Sequence, residues 1–253
     1  MHQHLFILTG ASRGMGLAMA QQLLQPGHTL LCLSRQTNAT LATQAQTQGN
    51  GTTLLQWAQD LSDGVTASTR LAAWLATQAP ATYASATLIN NAGVIPRIGP
   101  LSDADPADLA HSLRVGLEAP MQLTAAFLTA TQNWPAVRKV LNISSGLGRR
   151  PMASQAAYCA AKAGMDHFTR CLALEEALKP NGARVCSLAP GVIDTDMQVQ
   201  LRNADAAAFP DQATFVAMKT GGQLTSPTDA ATRVLAFLKR PDFGEQPCAD
   251  VRA

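Results

Sequence analysis

The stretch "HLFILTGASRGMG", His4 to Gly16, decides the fold. His4–Thr9 is a short, largely apolar run without clean alternation, as a strand buried on both faces should be. Glycines follow at 10, 14 and 16, and "LAMAQQLL" then places its apolar residues at helical spacing. A glycine-rich turn between strand and helix lets backbone N–H groups approach a pyrophosphate at the helix N-terminus. A glycine triplet alone is a weak signal, but here the strand before it and the helix after it supply the required context. Gly10, Ser12, Arg13, Gly14, Met15 and Gly16 are therefore expected to cradle a dinucleotide.

Working outward, the alternation continues. Strands are expected at His4–Thr9, Thr29–Leu33, Thr53–Ala58, Ala86–Asn90, Lys139–Ser144 and Ala183–Leu188, with a last one near Cys248–Val251. Helical periodicity fills 14–25, 38–48, 62–79, 106–133, 155–179 and 226–240. This order predicts an α/β fold: a single Rossmann-type, doubly wound parallel sheet flanked by helices on both faces. Residues 1–253 are read as one dinucleotide-binding catalytic domain. The region 192–225, weakly periodic from 197 and holding two glycines and Pro210, is expected to be a flexible substrate flap.

Composition narrows the function. Apolar residues make up 47% and charged residues 14%, enough apolar side chain for a large core. So few charges suggest that some surface is covered in an oligomer. The net charge of +2 comes without a Lys/Arg cluster, so no nucleic-acid partner is expected. No apolar run approaches the ~20 residues that span a membrane. The N-terminal residues lack a basic region and read as a strand rather than an export signal. Five scattered cysteines without C-x-x-C read as free thiols in a reducing, cytoplasmic setting. His2 and His4 are read as a ragged terminus, and no metal site is expected.

The second strand ends in Ser34-Arg35, where a carboxylate would suit a ribose diol. A hydroxyl with Arg35, and Arg13 in the glycine turn, instead suit a 2′-phosphate, so the expected cofactor is NADP(H). Asp60 could accept from the adenine amino group or cap the helix beginning near Ser62. In "NNAG", Asn90 to Gly93, the asparagines could tie loops and Gly93 permits close cofactor approach. Further on, Tyr158 and Lys162 lie four apart on an expected helix, hence on one face. Ser145 precedes Tyr158 by thirteen residues, at a strand end.

With "TGASRGMG", "NNAG", the Ser/Tyr/Lys spacing and "PGVIDTDM" from Pro190, the whole chain resembles the short-chain dehydrogenase/reductase family. The resemblance implies that Tyr158 is the general acid/base, Lys162 its ribose-binding neighbour and Ser145 the group that bonds the substrate carbonyl. It extends the cofactor contacts to Leu61, Asn91, Ala92, Gly93, Pro190, Gly191, Val192 and Thr195, and implies a homodimer or homotetramer. The ending "FLKRPDFGEQPCADVRA" is similar to the sepiapterin reductase and benzil reductase-like members. That similarity implies a small carbonyl substrate, with Leu147, Met197 and Asp250 beside it. Alternatives are a 3-oxoacyl thioester reductase, for which Arg97, Arg149 and Arg150 supply cations, and a non-catalytic NADP-binding regulator.

One departure stands out. Family members usually carry an asparagine where this chain has Gly116. Pro120, four residues on, has no N–H for the Gly116 carbonyl, so the helix should kink there. The freed carbonyl could hold a catalytic relay water, making Gly116 a fourth catalytic position, or the kink could serve packing alone.

Overall fold

The computed structural model describes residues 3–48 and 51–252. Seven parallel strands form one sheet in the order β3-β2-β1-β4-β5-β6-β7. These are β1 (Gln3–Thr9), β2 (His28–Ser34), β3 (Thr53–Ala58), β4 (Tyr83–Asn90), β5 (Val137–Ile143), β6 (Arg184–Ala189) and β7 (Cys248–Asp250). The expected strands are all present, some with ends displaced by up to three residues.

Side-chain alternation explains the unbroken apolar runs. In β1, Leu5 and Ile7 enter one core, while Phe6 and Leu8 enter the other. The first core is closed by α3 (Gly64–Ala76), α5 (Ala119–Thr131) and part of α6 (Ala156–Ala177). The second is closed by α1 (Gly14–Leu23), α2 (Ala39–Gln48) and α9 (Pro227–Lys239). Each fully buried leucine stabilises the fold by roughly 1.5–3 kcal/mol. Helix starts carry local signals: Asp63 caps α3 through Thr66 N–H, and Ser226 caps α9 through Asp229 N–H.

A polar thread runs along the sheet face beneath α5 and α6. The Asn90 amide donates to Thr124 Oγ1 at 3.1 Å and to Asn142 Oδ1 at 2.8 Å. The Asn142 amide donates in turn to Thr169 Oγ1 at 2.9 Å. α5, β4, β5 and α6 are thereby tied in register.

Several expectations change. The helix expected over 106–133 is α4 (Pro106–Leu113), a π-helical turn (Arg114–Glu118) and α5. The Ala119 N–H bonds the Arg114 carbonyl, five residues back. Because Pro120 has no N–H, the widened turn absorbs the missing donor without ending the helix. The weakly periodic stretch contains two short helices, α7 (Asp196–Arg202) and α8 (Gln212–Thr220). Leu201, Phe209 and Phe215 form a small core beneath them with Ile95, Ile98 and Met152. Its periodicity was hard to see because each helix is only two or so turns long.

His4 is not a ragged end: its ring bonds Ser85 Oγ at 2.8 Å and packs edge-on against His28. His2 lies outside the described residues. Among the described residues no helix is long and apolar enough to cross a membrane, and no cluster of metal ligands forms.

Replacing Asn142 with Ala should lower the unfolding free energy by about 2–3 kcal/mol, since it leaves one hydrogen of the buried Asn90 amide and the Thr169 hydroxyl without their partner. Urea titration measures this, and an unchanged midpoint would show that the thread contributes nothing.

Candidate active site

The strand order reverses between β1 and β4, and a crevice opens there at the carboxyl ends of parallel strands. A cleft of about 1320 Å³ runs along that edge. It collects the turns after β1, β2, β3, β4, β5 and β6, together with the helices α7 and α8.

At one end lies the glycine turn. Gly10 has φ +71°, a left-handed conformation that glycine adopts freely. A Cβ on Gly16 would sit 2.0 Å from the Gly10 carbonyl oxygen, so the turn can fold this tightly only without one. Asn91 braces it, donating its amide to Thr9 O at 3.0 Å and to Gly10 O at 3.2 Å. The Thr9 hydroxyl oxygen accepts from Asn91 and Ala92 N–H. No side chain caps α1 and no acid stands in its first turn. Its free N–H groups and the dipole's positive end therefore suit a phosphate, and the tight turn fits a dinucleotide.

Ser12, Arg13, Gly14 and Met15 line this end, and Ser34, Arg35, Asp60 and Leu61 line the cleft beside it. Ser34 Oγ accepts from Ala11 N–H at 2.8 Å, leaving its own hydrogen to donate. Arg35 is exposed. Arg13 reaches across to Asp196 on α7 at 3.1 Å, an ion pair exposed on both sides. Asp60 does not cap α3, a role that falls to Asp63. Asp60 instead accepts from Ser62 N–H at 2.9 Å, and that bond holds its carboxyl below the usual range.

The far end holds Ser145, Leu147, Tyr158, Lys162, Pro190, Gly191, Val192, Thr195 and Met197, with Ala92 and Gly93 opposite. Tyr158 and Lys162 are both buried on α6, and the ammonium stands 5.8 Å from the tyrosine ring centre. Lys162 Nζ donates to Ile143 O at 2.7 Å. Burial pushes Lys162 down to about 8, while Asp166 pulls the other way. Burial likewise pushes the Tyr158 phenol up, opposed by a hydrogen bond with Ser145. Desolvation is the largest influence on the phenol.

Other expected residues fall elsewhere. Asp250 does not line the cleft; its carboxylate grips the Arg252 guanidinium at 2.7 and 2.9 Å, and Arg252 faces the cleft instead. Arg149 is turned inward to Asp166, and Arg97 is off the cleft wall, so of the three candidate arginines only Arg150 lines it. Gly116 is buried behind Val115, which does line the cleft. Sequence reasoning missed Ile95, Leu201, Phe215 and Met218, which form an apolar wall. It also missed Asp166, although its place four residues after Lys162 was a usable signal.

Residues 4–206 match the family model for short chain dehydrogenase, and the chain belongs to that family of oxidoreductases, which work with NAD(P)(H). It is 35% identical over 237 residues to a benzil reductase ((S)-benzoin forming) of Bacillus cereus, covering 94% of each chain. It is 34% identical over 246 residues to the sepiapterin reductase of Xenopus tropicalis, covering 93% of this chain and 91% of that one. An NADP-bound structure from Agrobacterium tumefaciens, assigned as a 2-deoxy-d-gluconate 3-dehydrogenase, superposes with a TM-score of 0.78. It is 26% identical and covers 99% of this chain and 95% of that one.

A Cβ at Gly116 would lie 3.2 Å from Ala161 Cβ, close enough to need a small shift. If position 116 serves through its carbonyl, Gly116→Ala should keep turnover within a few fold. A loss above about a hundredfold, some 2.7 kcal/mol, in steady-state kinetics would count against that role.

Proposed function

We propose that this protein is an NADPH-dependent carbonyl reductase for a small ketone or vicinal dicarbonyl. The observation that carries the reading is the convergence of Ser145, Tyr158 and Lys162 on the cleft whose other end is the glycine turn. The substrate class follows the benzil- and sepiapterin-reducing relatives and suits the apolar wall of Ile95, Leu147, Met197, Leu201, Phe215 and Met218. α7 and α8 act as the lid over that wall. The 3-oxoacyl thioester reading keeps only Arg150, and a non-catalytic role leaves the Ser145, Tyr158 and Lys162 arrangement without a purpose.

When bound, the cofactor supplies the hydride. The glycine turn would hold its pyrophosphate, Arg35, Arg13 and Ser34 would hold a 2′-phosphate, and Lys162 would hold the nicotinamide ribose. The substrate carbonyl oxygen sits between the hydroxyls of Ser145 and Tyr158. Ser145 Oγ accepts from Leu147 N–H at 3.1 Å, and its hydrogen, shared with the Tyr158 oxygen in this structure, would turn to stabilise the developing oxyanion. Tyr158 gives its phenolic proton to that oxygen, and its raised pKa keeps the proton in place at neutral pH. The Lys162 ammonium stabilises the phenolate left behind. It discharges as pH rises through about 8, so reduction should be fast below that pH and slow above it. The Gly116 carbonyl would keep the relay water that the family's asparagine position serves. Copies of the chain would pair over α5 and α6, where Met121, Leu174 and nearby Leu178 are exposed.

Tyr158→Phe should retain NADPH binding by fluorescence titration while losing at least ~10³-fold in turnover of a diketone such as benzil. Full activity in that variant would sink the mechanism. Arg35→Ala should raise the KM for NADPH tenfold or more, about 1.4 kcal/mol, and leave that for NADH nearly unchanged. Equal effects on both cofactors would remove Arg35 from the 2′-phosphate site.

A further inference from the structure

Resting on the reading of Ser145, Tyr158 and Lys162 given above, we propose that Arg149 and Asp166 are a positioning pair. They clamp the Ser145 turn to the helix bearing Tyr158 and Lys162, and they set the charge field at Lys162.

Asp166 is 1% exposed and lies one helical turn beyond Lys162, on the same face of α6. A carboxylate buried so deeply must be paired and hydrogen-bonded. Its Oδ2 accepts from Arg149 Nε at 3.0 Å, and its Oδ1 accepts from the Ser187 hydroxyl at 2.6 Å. The same guanidinium donates from Nη2 to Ala249 O at 2.9 Å. One cation thus joins the turn after β5 to α6 and to β7, while the carboxylate adds β6.

The turn itself rests directly on α6. A Cβ on Gly148 would stand 2.9 Å from the Lys162 carbonyl oxygen and 3.2 Å from Asp166 Oδ2. Ser145 begins this turn and Arg149 ends it. The place of the serine hydroxyl relative to the tyrosine therefore depends on how firmly Arg149 is held.

The electrostatic consequence has a definite sign. Lys162 shares its helix with Tyr158 and Asp166. The Ser145 turn brings Arg149, β6 and β7 bring Cys186 and Cys248 beside Asp166, and α4 brings His111 to the cleft wall. Both thiols are pushed up by burial and stay neutral near pH 7. The Asp166 carboxylate favours the Lys162 ammonium, and Arg149 offsets Asp166.

The two charges can be removed separately. In Asp166→Asn only the Ile143 carbonyl still opposes the burial of Lys162, so it discharges at lower pH. In Arg149→Gln the field of Asp166 is uncompensated, so Lys162 discharges at higher pH. Arg149→Lys keeps the charge and loses the planar grip, so the Lys162 midpoint stays while kcat falls. A pair that only stabilised the fold would not move the midpoint in opposite directions.

The test is NMR titration of 13C-lysine-labelled protein without substrate, with the Lys162 signal assigned by its loss in Lys162→Met. The expected result is a midpoint lowered by roughly one pH unit in Asp166→Asn and raised in Arg149→Gln. Unmoved midpoints, or shifts of the same sign, overturn the proposal. If Arg149→Gln fails to fold, Asp166→Asn against Arg149→Lys decides. A lowered midpoint in the first and an unmoved one in the second support the pair; any other combination overturns it. The underlying mechanism is tested apart from this by Tyr158→Phe, whose full activity would remove the catalytic reading and leave the midpoint shifts standing.

Discussion

Parallel strands cannot be joined by tight turns, and every chemical group in this molecule takes its place from that constraint. Each chain reversal needs a helix that returns along a sheet face, so all seven strands end at one edge. The glycine turn follows β1, "NNAG" follows β4, the Ser145 turn follows β5 and Pro190–Thr195 follows β6. Residues far apart in sequence therefore meet in one crevice, at the point where the strand order reverses. The apolar cores on the two faces hold the edge rigid, so side chains there are aimed by the scaffold rather than by their neighbours in sequence.

Within that edge, α6 has the most demanding task. It carries a buried tyrosine and a buried lysine one turn apart, and desolvation works against the charged form of each. The Ile143 carbonyl and the Asp166 carboxylate offset this for the lysine, and Arg149 and Ser187 in turn satisfy Asp166. The same bonds that make the buried charges tolerable also bind the helix to the serine turn.

The opposite wall shows a different compromise. Gly116 and Pro120 each weaken an α-helix, yet together they fit a π-turn. The proline withholds a donor and the widened turn redistributes the carbonyls around it. The glycine lets α6 approach closely, with Ala161 against it and Leu117 packed over Gly164. Two residues that look like defects in sequence form one local structure when their spacing is considered.

The sequence alone determined the features that depend on local physics. Strand and helix order, the glycine turn, the shared face of Tyr158 and Lys162, and the disturbance at Pro120 are set by periodicity, steric freedom and missing donors within a few residues. Tertiary structure alone decided which polar partners meet across long separations. Arg149 looked like a free substrate cation until Asp166, seventeen residues on, claimed it. Asp250 looked like a substrate anchor until Arg252 was seen to grip its carboxylate. His4 looked like a frayed end until Ser85, eighty-one residues away, was seen to bond its ring. The small core beneath α7 and α8 likewise joins Phe209 and Phe215 to Ile95, a pairing no local pattern encodes. A charged or polar side chain carries its chemistry in its name, but its partner is chosen by packing, and packing is a property of the whole fold.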